Sequence, residues 1–340
     1  MGSPLSLPGL SVFTTCPSSL AERGDEYICR IAEAAQWSDE TGCEGILIYT
    51  DNSVPDPWLV AQALITRTRT LAPLVAVQPV YMHPYTVAKL VATLGMLYGR
   101  RLHLNMVAGG FKNDLLALHD PTPHDRRYAR LEEFTHIVME LLRANQPVTF
   151  AGEFYAVTGL RLSPALPREL LPGLMLSASS EAGLATAKRI GAVAVQYPGP
   201  AAIYQDGMPG GVSQGGIRVG VIARESDDEA WAVAHSRFPE DRKGQLTRQL
   251  ATQVSDSAWH KQLSELGQDQ EGKGPYWLVP FSNYKTNCPY LVGSYDRVAE
   301  EIARYLKPGY RSFILDVPPS REELEHTGEA FARAWRSFAP

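Results

Sequence analysis

Residues 101–110 read Arg-Leu-His-Leu-Asn-Met-Val-Ala-Gly-Gly, and this stretch decides both the fold and the position of the site. A strongly apolar run ends abruptly in small residues, which leaves room for another molecule at the end of a buried strand. A polar loop follows and brings His124 and Tyr128, four positions apart, to the start of a helical segment. The stretch therefore predicts a buried strand with a binding site at its carboxyl end.

The same alternation of strand and helix recurs along the whole chain. Continuous apolar runs, typical of strands covered on both faces, occur at Leu10–Thr14, Gly45–Tyr49, Leu74–Pro79, Leu102–Val107, Leu174–Ser177, Ala192–Tyr197, Ile217–Ala223 and Ser312–Val317. Amphipathic helical windows lie at Glu26–Gln36, Trp58–Arg69, Thr86–Leu97, Arg130–Leu142, Ala182–Ile190, Asp227–Ser236, Arg297–Leu306 and Glu322–Phe338. About eight β/α units predict an α/β protein, a (β/α)8 TIM-like barrel in one domain over residues 1–340. A doubly wound open sheet is the rival, but the sequence lacks the GxGxxG turn that usually opens it.

The composition limits the classes of partner. With 340 residues, 44% hydrophobic and 20% charged, the chain fits a globular protein with a large core. A net charge of −5 without a Lys/Arg stripe argues against nucleic acid and against an anionic membrane surface. The four cysteines lack metal-type spacing, so no metal site is predicted. Without a secretory signal or a membrane-length apolar run, we expect a cytoplasmic protein.

Two segments interrupt the repeat. Residues 148–172 carry a short turn and several prolines, which predicts a small hairpin excursion. Residues 239–290 form a larger and more polar insertion with two helical parts. Long insertions at the C-terminal face of a barrel often become lids over the site. A solvated insertion and a mobile lid both remain open for residues 239–290.

Polar and small residues collect where the predicted strands end, which is where a TIM barrel places its chemistry. The candidates at these ends are Asp51, Tyr81, His83, Ala108 and Tyr197. Ser179 and Ser180 immediately precede another helix, and the N-terminus of a helix attracts phosphate and other anions. An ordinary serine cap is the alternative interpretation of this pair.

Several segments, in this order and spacing, resemble the bacterial-luciferase-like flavin monooxygenases, most closely the alkanesulfonate monooxygenase branch. They are residues 44–48, 56–61, 104–109, 125–134, 179–182, 217–225 and 228–231. The resemblance covers nearly the whole chain. It implies a TIM-like barrel that binds reduced FMN (FMNH2), supplied by a separate NAD(P)H:flavin reductase. It also implies that O2 adds to the flavin to form a C4a-(hydro)peroxide, which oxygenates a small-molecule substrate.

The resemblance assigns roles to individual residues of the cofactor site. It implies that the FMN phosphate contacts His124, Tyr128, Ser179 and Ser180. It implies that the flavin ring packs against Asn105 and Ala108, where the family usually has Thr at the second position, and Asp51 joins the same cofactor-binding set. Homodimers and homotetramers are usual in this family, and one of these is expected here.

The facing half of the site departs from the alkanesulfonate pattern. That branch has Cys, His and Tyr where this chain has Val54, Gly220 and Pro318, and it has Trp where this chain has Tyr197. A loop Arg of the branch aligns roughly with Tyr284, next to Lys285, and Arg218 alone remains a clear match. Simple alkanesulfonate desulfonation is therefore not expected.

These departures suggest a different substrate. Val54, Gly220 and Pro318 would make the pocket less polar and roomier, which suits a larger organic molecule. Tyr81, Tyr197 and Lys285 are further candidate substrate contacts. Arg218 is a candidate catalytic residue that clamps an anionic group or stabilises the negative flavin hydroperoxide.

His83 and Tyr81 are candidate proton-transfer groups, with loop packing beside Pro84 as the alternative for both. Two alternatives remain for the function itself. One is an F420-dependent oxidoreductase on the same fold, and the other is a non-catalytic flavin-binding partner subunit.

Overall fold

Eight parallel strands close into a barrel at the centre of the molecule. The computed structural model describes residues 3–18, 22–109, 112–143, 146–211, 214–254, 258–266 and 274–338. Their strands are β1 (Ser11–Thr15), β2 (Gly45–Ile48), β3 (Ala72–Val77), β4 (His103–Met106), β5 (Val148–Ala151), β6 (Ala156–Leu160), β7 (Gly173–Ser177), β8 (Val193–Gln196), β9 (Gly215–Arg224), β10 (Tyr276–Trp277), β11 (Tyr290–Ser294) and β12 (Tyr310–Leu315). The barrel order is β1-β2-β3-β4-β7-β8-β9-β12, and β12 pairs with β1 to complete the circle. The predicted (β/α)8 barrel is confirmed, and each predicted apolar run overlaps one barrel strand.

Helices surround this barrel. The described residues form α1 (Asp25–Thr41), α2 (Pro57–Ile65), α3 (Pro84–Tyr98), α4 (Lys112–Ala117), α5 (His124–Arg143), α6 (Glu181–Ile190), α7 (Asp227–Arg237), α8 (Arg242–Val254), α9 (Ala258–Leu266), α10 (Val279–Ser282), α11 (Tyr295–Leu306) and α12 (Arg321–Phe338). Every predicted helical window overlaps one of them. Helix α5 begins at His124 rather than at Arg130, because its first turns are polar and carry little hydrophobic periodicity. No helix in the described ranges is both long and apolar enough to span a bilayer.

Large side chains plug the inside of the barrel. A buried cluster takes one residue from each of six strands: Phe13, Leu47, Leu74, Met175, Val195 and Ile314. A TIM barrel is therefore a packed core and not a pore, and any ligand must bind above the plug, where the strands end.

Strand β9 serves two sheets. Its first half, from Gly215 to Val219, pairs with β8 and β12 and closes the barrel. Its second half, from Gly220 to Arg224, runs on past the barrel rim and pairs with β11. The short β10 adds antiparallel to β11. The segment that contains α8, α9, β10 and α10 is thereby joined to the carboxyl end of β9, which belongs to the C-terminal face.

The smaller interruption contains a hairpin. Strands β5 and β6 pair antiparallel. The carboxylate of Glu133 on α5 accepts backbone N–H groups from Glu153, Phe154 and Tyr155 at 2.8, 2.8 and 3.1 Å. These bonds satisfy the turn and fasten the hairpin to a barrel helix.

Candidate functional site

One cavity opens at the carboxyl ends of the barrel strands. The empty space, counted out into the open mouth, is about 1220 Å³. Its walls are formed by Ser18, Tyr49, Thr50, Asp51, Val54, Ala76, Gln78, Asn105, Val107, Ala108, Gly109, His124, Tyr128, Ser177, Ser179, Ser180, Tyr197, Trp259 and Asn287. The structure thus brings together all seven residues expected at the cofactor, and also Val54 and Tyr197 from the expected substrate side.

The floor of the cavity is made of small residues from neighbouring strands. Ala76 on β3 lies in register with Asn105 on β4, and Ala108 and Gly109 follow as the chain leaves β4. Gly109 has a φ of +110°, a conformation that a residue with a side chain rarely adopts. The side chain of Asn105 is 4% exposed, and its Oδ1 accepts no hydrogen bond from any described residue. Because a buried amide oxygen without a partner is costly, this atom is available to a ligand N–H.

Hydroxyl groups surround the N-terminus of helix α6 at one end of the cavity. Ser180 caps the helix, and its Oγ accepts the N–H of Gly183 at 3.2 Å. The Tyr128 hydroxyl lies beside this turn, because a Cβ added to Gly183 would sit 3.0 Å from its Oη. Burial raises the pKa of Tyr128, so this hydroxyl stays protonated at neutral pH and can donate. Free N–H groups, the helix dipole and hydroxyls together make an anion site.

His124 reaches the same end from the first turn of α5. Its ring meets that of Tyr128 edge to face, with centroids 5.2 Å apart. The two residues are four positions apart on one helix and therefore share a face. The predicted helical window begins only at Arg130, and the structure extends this helix back to His124.

Aromatic rings form the opposite wall. Tyr197, after β8, stacks on Trp259 of α9 with centroids 3.7 Å apart and planes at 8°. Trp259 was not a predicted site residue, because it belongs to the polar insertion and lies far from any strand end in sequence. The contact of Trp259 with Tyr197 becomes visible only in the folded structure, because the two residues are far apart in sequence.

Arg218 lies behind this wall and not in it. Its side chain is 3% exposed, and its guanidinium carbon is 4.6 Å from the centroid of the Tyr49 ring. Nη1 donates to the Tyr197 hydroxyl at 3.5 Å, and Nη2 is 3.6 Å from Asp316 Oδ1. Since Tyr49 and Tyr197 both line the cavity, Arg218 acts on a ligand through them. The structure gives no support to the expected direct clamp.

Three further expected site residues, Tyr81, His83 and Lys285, also lie outside the cavity. The Tyr81 hydroxyl donates to Asn52 Oδ1 at 2.7 Å, and burial raises its pKa to about 12. His83 caps α3, and its Nδ1 accepts the N–H of Tyr85 at 3.1 Å. Lys285 pairs with Asp241 at 2.8 Å. Tyr81 and His83 therefore hold loops and a helix end, and their role in proton transfer, like substrate contact by Tyr81 and Lys285, stays a prediction.

Gly220 does not widen the cavity. A Cβ at this position would lie 2.3–2.5 Å from three atoms of the Tyr290 ring. The Tyr290 hydroxyl donates to Asp316 Oδ2 at 2.8 Å. The expectation that Gly220 and Pro318 open space for a large substrate is therefore wrong. Both residues line a separate small cleft, and the space at Gly220 is taken by Tyr290.

Replacing Gly220 with Ala tests this correction. We expect Gly220→Ala to lower the free energy of unfolding by about 1–3 kcal/mol, because a methyl group must displace a packed ring. Urea denaturation measures the change. Gly274→Ala is the matched control, since the nearest atom to an added Cβ there is 4.0 Å away. Equal stability of both variants would mean that the space beside Gly220 is open.

A TIM barrel whose strand ends carry an anion site, a floor of small residues and an aromatic wall belongs to the class of cofactor-binding barrel enzymes. Among the described residues, no cluster of three or more His, Cys, Asp or Glu side chains is arranged to hold a metal ion.

Comparisons with known proteins identify the family. Residues 10–312 match the model of the luciferase-like monooxygenase family. The 4-(gamma-L-glutamylamino)butanoyl-[BtrI acyl-carrier protein] monooxygenase BtrO of Niallia circulans is 34% identical over 307 residues, which cover 88% of this chain and 90% of BtrO. The chain therefore belongs to the luciferase-like monooxygenase family and is an enzyme of its flavin-dependent monooxygenase class.

Solved structures share the fold at low identity. The EDTA monooxygenase EmoA of Chelativorans sp. BNC1 superposes with a TM-score of 0.72 at 15% identity, covering 97% of this chain and 95% of EmoA. An F420-dependent secondary alcohol dehydrogenase superposes with a TM-score of 0.65 at 16% identity, covering 96% and 99%. The fold is thus shared by a monooxygenase and an F420-dependent dehydrogenase, and the finer resemblance to the alkanesulfonate branch stays a prediction.

Proposed function

We propose that this chain is the oxygenase of a two-component, FMNH2-dependent monooxygenase, in which a separate NAD(P)H:flavin reductase supplies the reduced cofactor. The observation that carries the proposal is the division of one cavity into two unlike parts. Hydroxyls at the N-terminus of α6 suit a phosphate, and the floor of small residues with the unpaired Asn105 Oδ1 suits a flat ring that carries N–H groups.

The residues present fit FMN. We assign the phosphate to Ser179, Ser180, Tyr128 and His124, whose donors surround one helix N-terminus. We assign the ring to the floor, where Asn105 offers its oxygen and Ala108 leaves room. Asp51 also lines the cavity, but its Oδ1 already accepts the Ser53 N–H at 2.6 Å and the Ser53 hydroxyl at 2.7 Å.

Reduced FMN, when bound, supplies the two electrons with which O2 gives one oxygen atom to the substrate and the other to water. The protein's part is to orient the partners, exclude water and hold charge. Trp259 and Tyr197 form an apolar wall that shields the cavity. Arg218 holds Tyr197 and Tyr49 from behind and places a fixed positive charge close to any negative charge that develops in the cavity.

We infer that the substrate is an acyl group carried on an acyl carrier protein. The named substrate of BtrO is of this kind, and the alignment covers 88% of this chain and 90% of BtrO. The cavity suits such a substrate because it is open at one end and apolar on the side of Val54 and Trp259. Small sulfonates are not favoured, because the Lys285 and Arg218 side chains do not line the cavity.

Oxygen incorporation tests the proposed function. We expect the purified chain, with a generic flavin reductase, NADH, FMN and O2, to add one oxygen atom to an acyl thioester, seen as a mass gain by mass spectrometry. Reactions without reductase or without O2 are the controls. Product formed with reduced F420 and without O2 would favour the F420 alternative. If the chain alone oxidised no thioester and turnover appeared only after a second protein subunit was added, the result would favour a non-catalytic, flavin-binding role for this chain.

A serine at the phosphate end gives a sharper test of the cofactor. We expect Ser180→Ala to weaken FMN binding about tenfold and to leave riboflavin binding unchanged, because riboflavin lacks the phosphate. Flavin fluorescence titration measures both affinities. Ser226→Ala is the matched control, since Ser226 also caps a helix, α7, but does not line the cavity. An equal loss for FMN and riboflavin would contradict the assignment of the phosphate.

The stack on Tyr197 makes α9 a candidate lid, and we propose that residues 239–290 include it. An aromatic pair contributes about 0.5–1.5 kcal/mol, so removing the ring should reduce the closed population about two- to tenfold. We therefore expect Trp259→Ala to lower the product formed per NADH consumed and to raise hydrogen peroxide release. Trp259→Phe keeps a ring and should retain most of the coupling. Unchanged coupling in Trp259→Ala would rule out shielding by this side chain.

A further inference from the structure

Helix α8 turns its polar side toward α10 and its apolar side toward solvent. Gly244, Gln245 and Arg248 face inward, whereas Leu246 and Leu250, on successive turns, are 62% and 64% exposed. A helix at the surface of a globular protein normally has the opposite arrangement. Packing against the residues that the structure describes therefore does not explain the two leucines.

Specific contacts fix the inner face of α8. The Gln245 amide donates to Asn283 Oδ1 at 3.1 Å. Gly244 approaches so closely that an added Cβ would lie 2.1 Å from the backbone oxygen of Asn283. The Arg248 guanidinium lies over the Phe281 ring at 3.4 Å from its centroid, and burial lowers the Arg248 pKa to about 10. These contacts determine the rotation of α8 about its axis, so the outward leucines are a property of the fold.

The exposed face of α8 is cationic. Arg242 and Lys243 are exposed beside the leucines, and the helix contains no Asp or Glu, although the whole chain has a net charge of −5. Glu240 and Asp241 precede the helix, and Asp241 is paired with Lys285 at 2.8 Å. Apolar side chains rimmed by charge of one sign mark a surface for a partner of the opposite sign.

This face lies next to the mouth of the cavity. Helix α8 packs against α9, whose Trp259 lines the cavity, and against α10. Arg248 is close enough to Tyr197, another cavity residue, to work against the burial that raises the pKa of that tyrosine. A protein bound on the outer face of α8 would thus lie one helix away from the entrance.

We propose that Arg242, Lys243, Leu246 and Leu250 form the docking surface for an acidic acyl carrier protein that presents its tethered acyl group to the cavity. The proposal rests on the proposed function and names its partner. A second copy of this chain fits less well, because a two-fold contact would set one cationic α8 against another. A membrane also fits less well, because two leucines without an aromatic residue give little apolar area to insert.

The test compares a carrier-bound substrate with a free one. The probes are the 4-(gamma-L-glutamylamino)butanoyl group on an acyl carrier protein and the same group on pantetheine. Two double variants change the face: Leu246→Gln with Leu250→Gln, and Arg242→Glu with Lys243→Glu. Lys188→Glu with Lys307→Glu is the control, because these exposed lysines lie at the C-terminal ends of α6 and α11, at the opposite end of the barrel.

We expect each face variant to raise KM for the carrier-bound substrate about tenfold without a change in kcat, because docking is lost but the site is intact. Turnover of the pantetheine thioester should stay at the wild-type level in every variant. Binding of fluorescently labelled holo-carrier protein, followed by anisotropy, should weaken in the same two variants and should weaken with salt in the wild type.

Several outcomes would overturn the docking surface. One is wild-type turnover of the pantetheine thioester with no binding of the carrier, which leaves the proposed function standing. Another is an equal change for both thioesters, which would assign α8 a role in the site itself. A third is a lower oligomeric state of the leucine variant than of the wild type in ultracentrifugation, which would mean that a second copy of this chain covers the leucines. Carrier binding without turnover of either thioester would instead contradict the proposed function alone.

Discussion

The pairing of strand β9 is the constraint on which the rest of the structure depends. Its first half must pair with β8 and β12 or the barrel stays open, and its second half must leave the barrel to accept β11. Arg218 lies in the half that closes the barrel, and Gly220 lies where the strand begins to pair with β11. Because β9 changes its pairing partner from β12 to β11, the buried Arg218 lies behind the cavity wall and the Tyr290 ring lies beside Gly220. It also holds the insertion over the strand ends.

The sequence predicted the barrel well because the information for it is local. Each barrel strand is a continuous apolar run, and a run such as residues 102–107 needs no distant partner to be recognised. The residues expected at the cofactor are similarly local, since Asn105 lies in β4, Ala108 closely follows β4, and the serines at 179 and 180 closely follow β7. The second sheet was missed because β11 is identified only by its pairing with the second half of β9, which is a long-range contact.

The aromatic wall of the cavity was harder to predict, because it also depends on a long-range contact. Trp259 meets Tyr197 only because α9 folds back over the barrel, and no spacing in the sequence encodes that contact. Gly220 shows the converse error. A small residue at a strand end predicts space, but the space belongs to whichever side chain packs there, here Tyr290 from β11. For Tyr81 and His83 the sequence left two roles open, because a tyrosine or histidine that holds a loop or caps a helix is the same residue type as a proton-transfer group.

The cavity is built from two sources, the ends of the barrel strands and the insertion that contains α8 and α9. The fold is shared by a monooxygenase and an F420-dependent dehydrogenase at 15–16% identity, so the barrel alone does not determine the substrate. The parts that differ most readily are loops and insertions at the strand ends, and here one insertion contributes Trp259 to the wall and α8 to the surface. Helices α8 and α9 contact each other. A partner bound on the outer face of α8 would therefore touch the same pair of helices that carries Trp259 to its stack on Tyr197. Whatever free energy links them acts in both directions, so closure over a substrate must favour the bound partner as much as the partner favours closure.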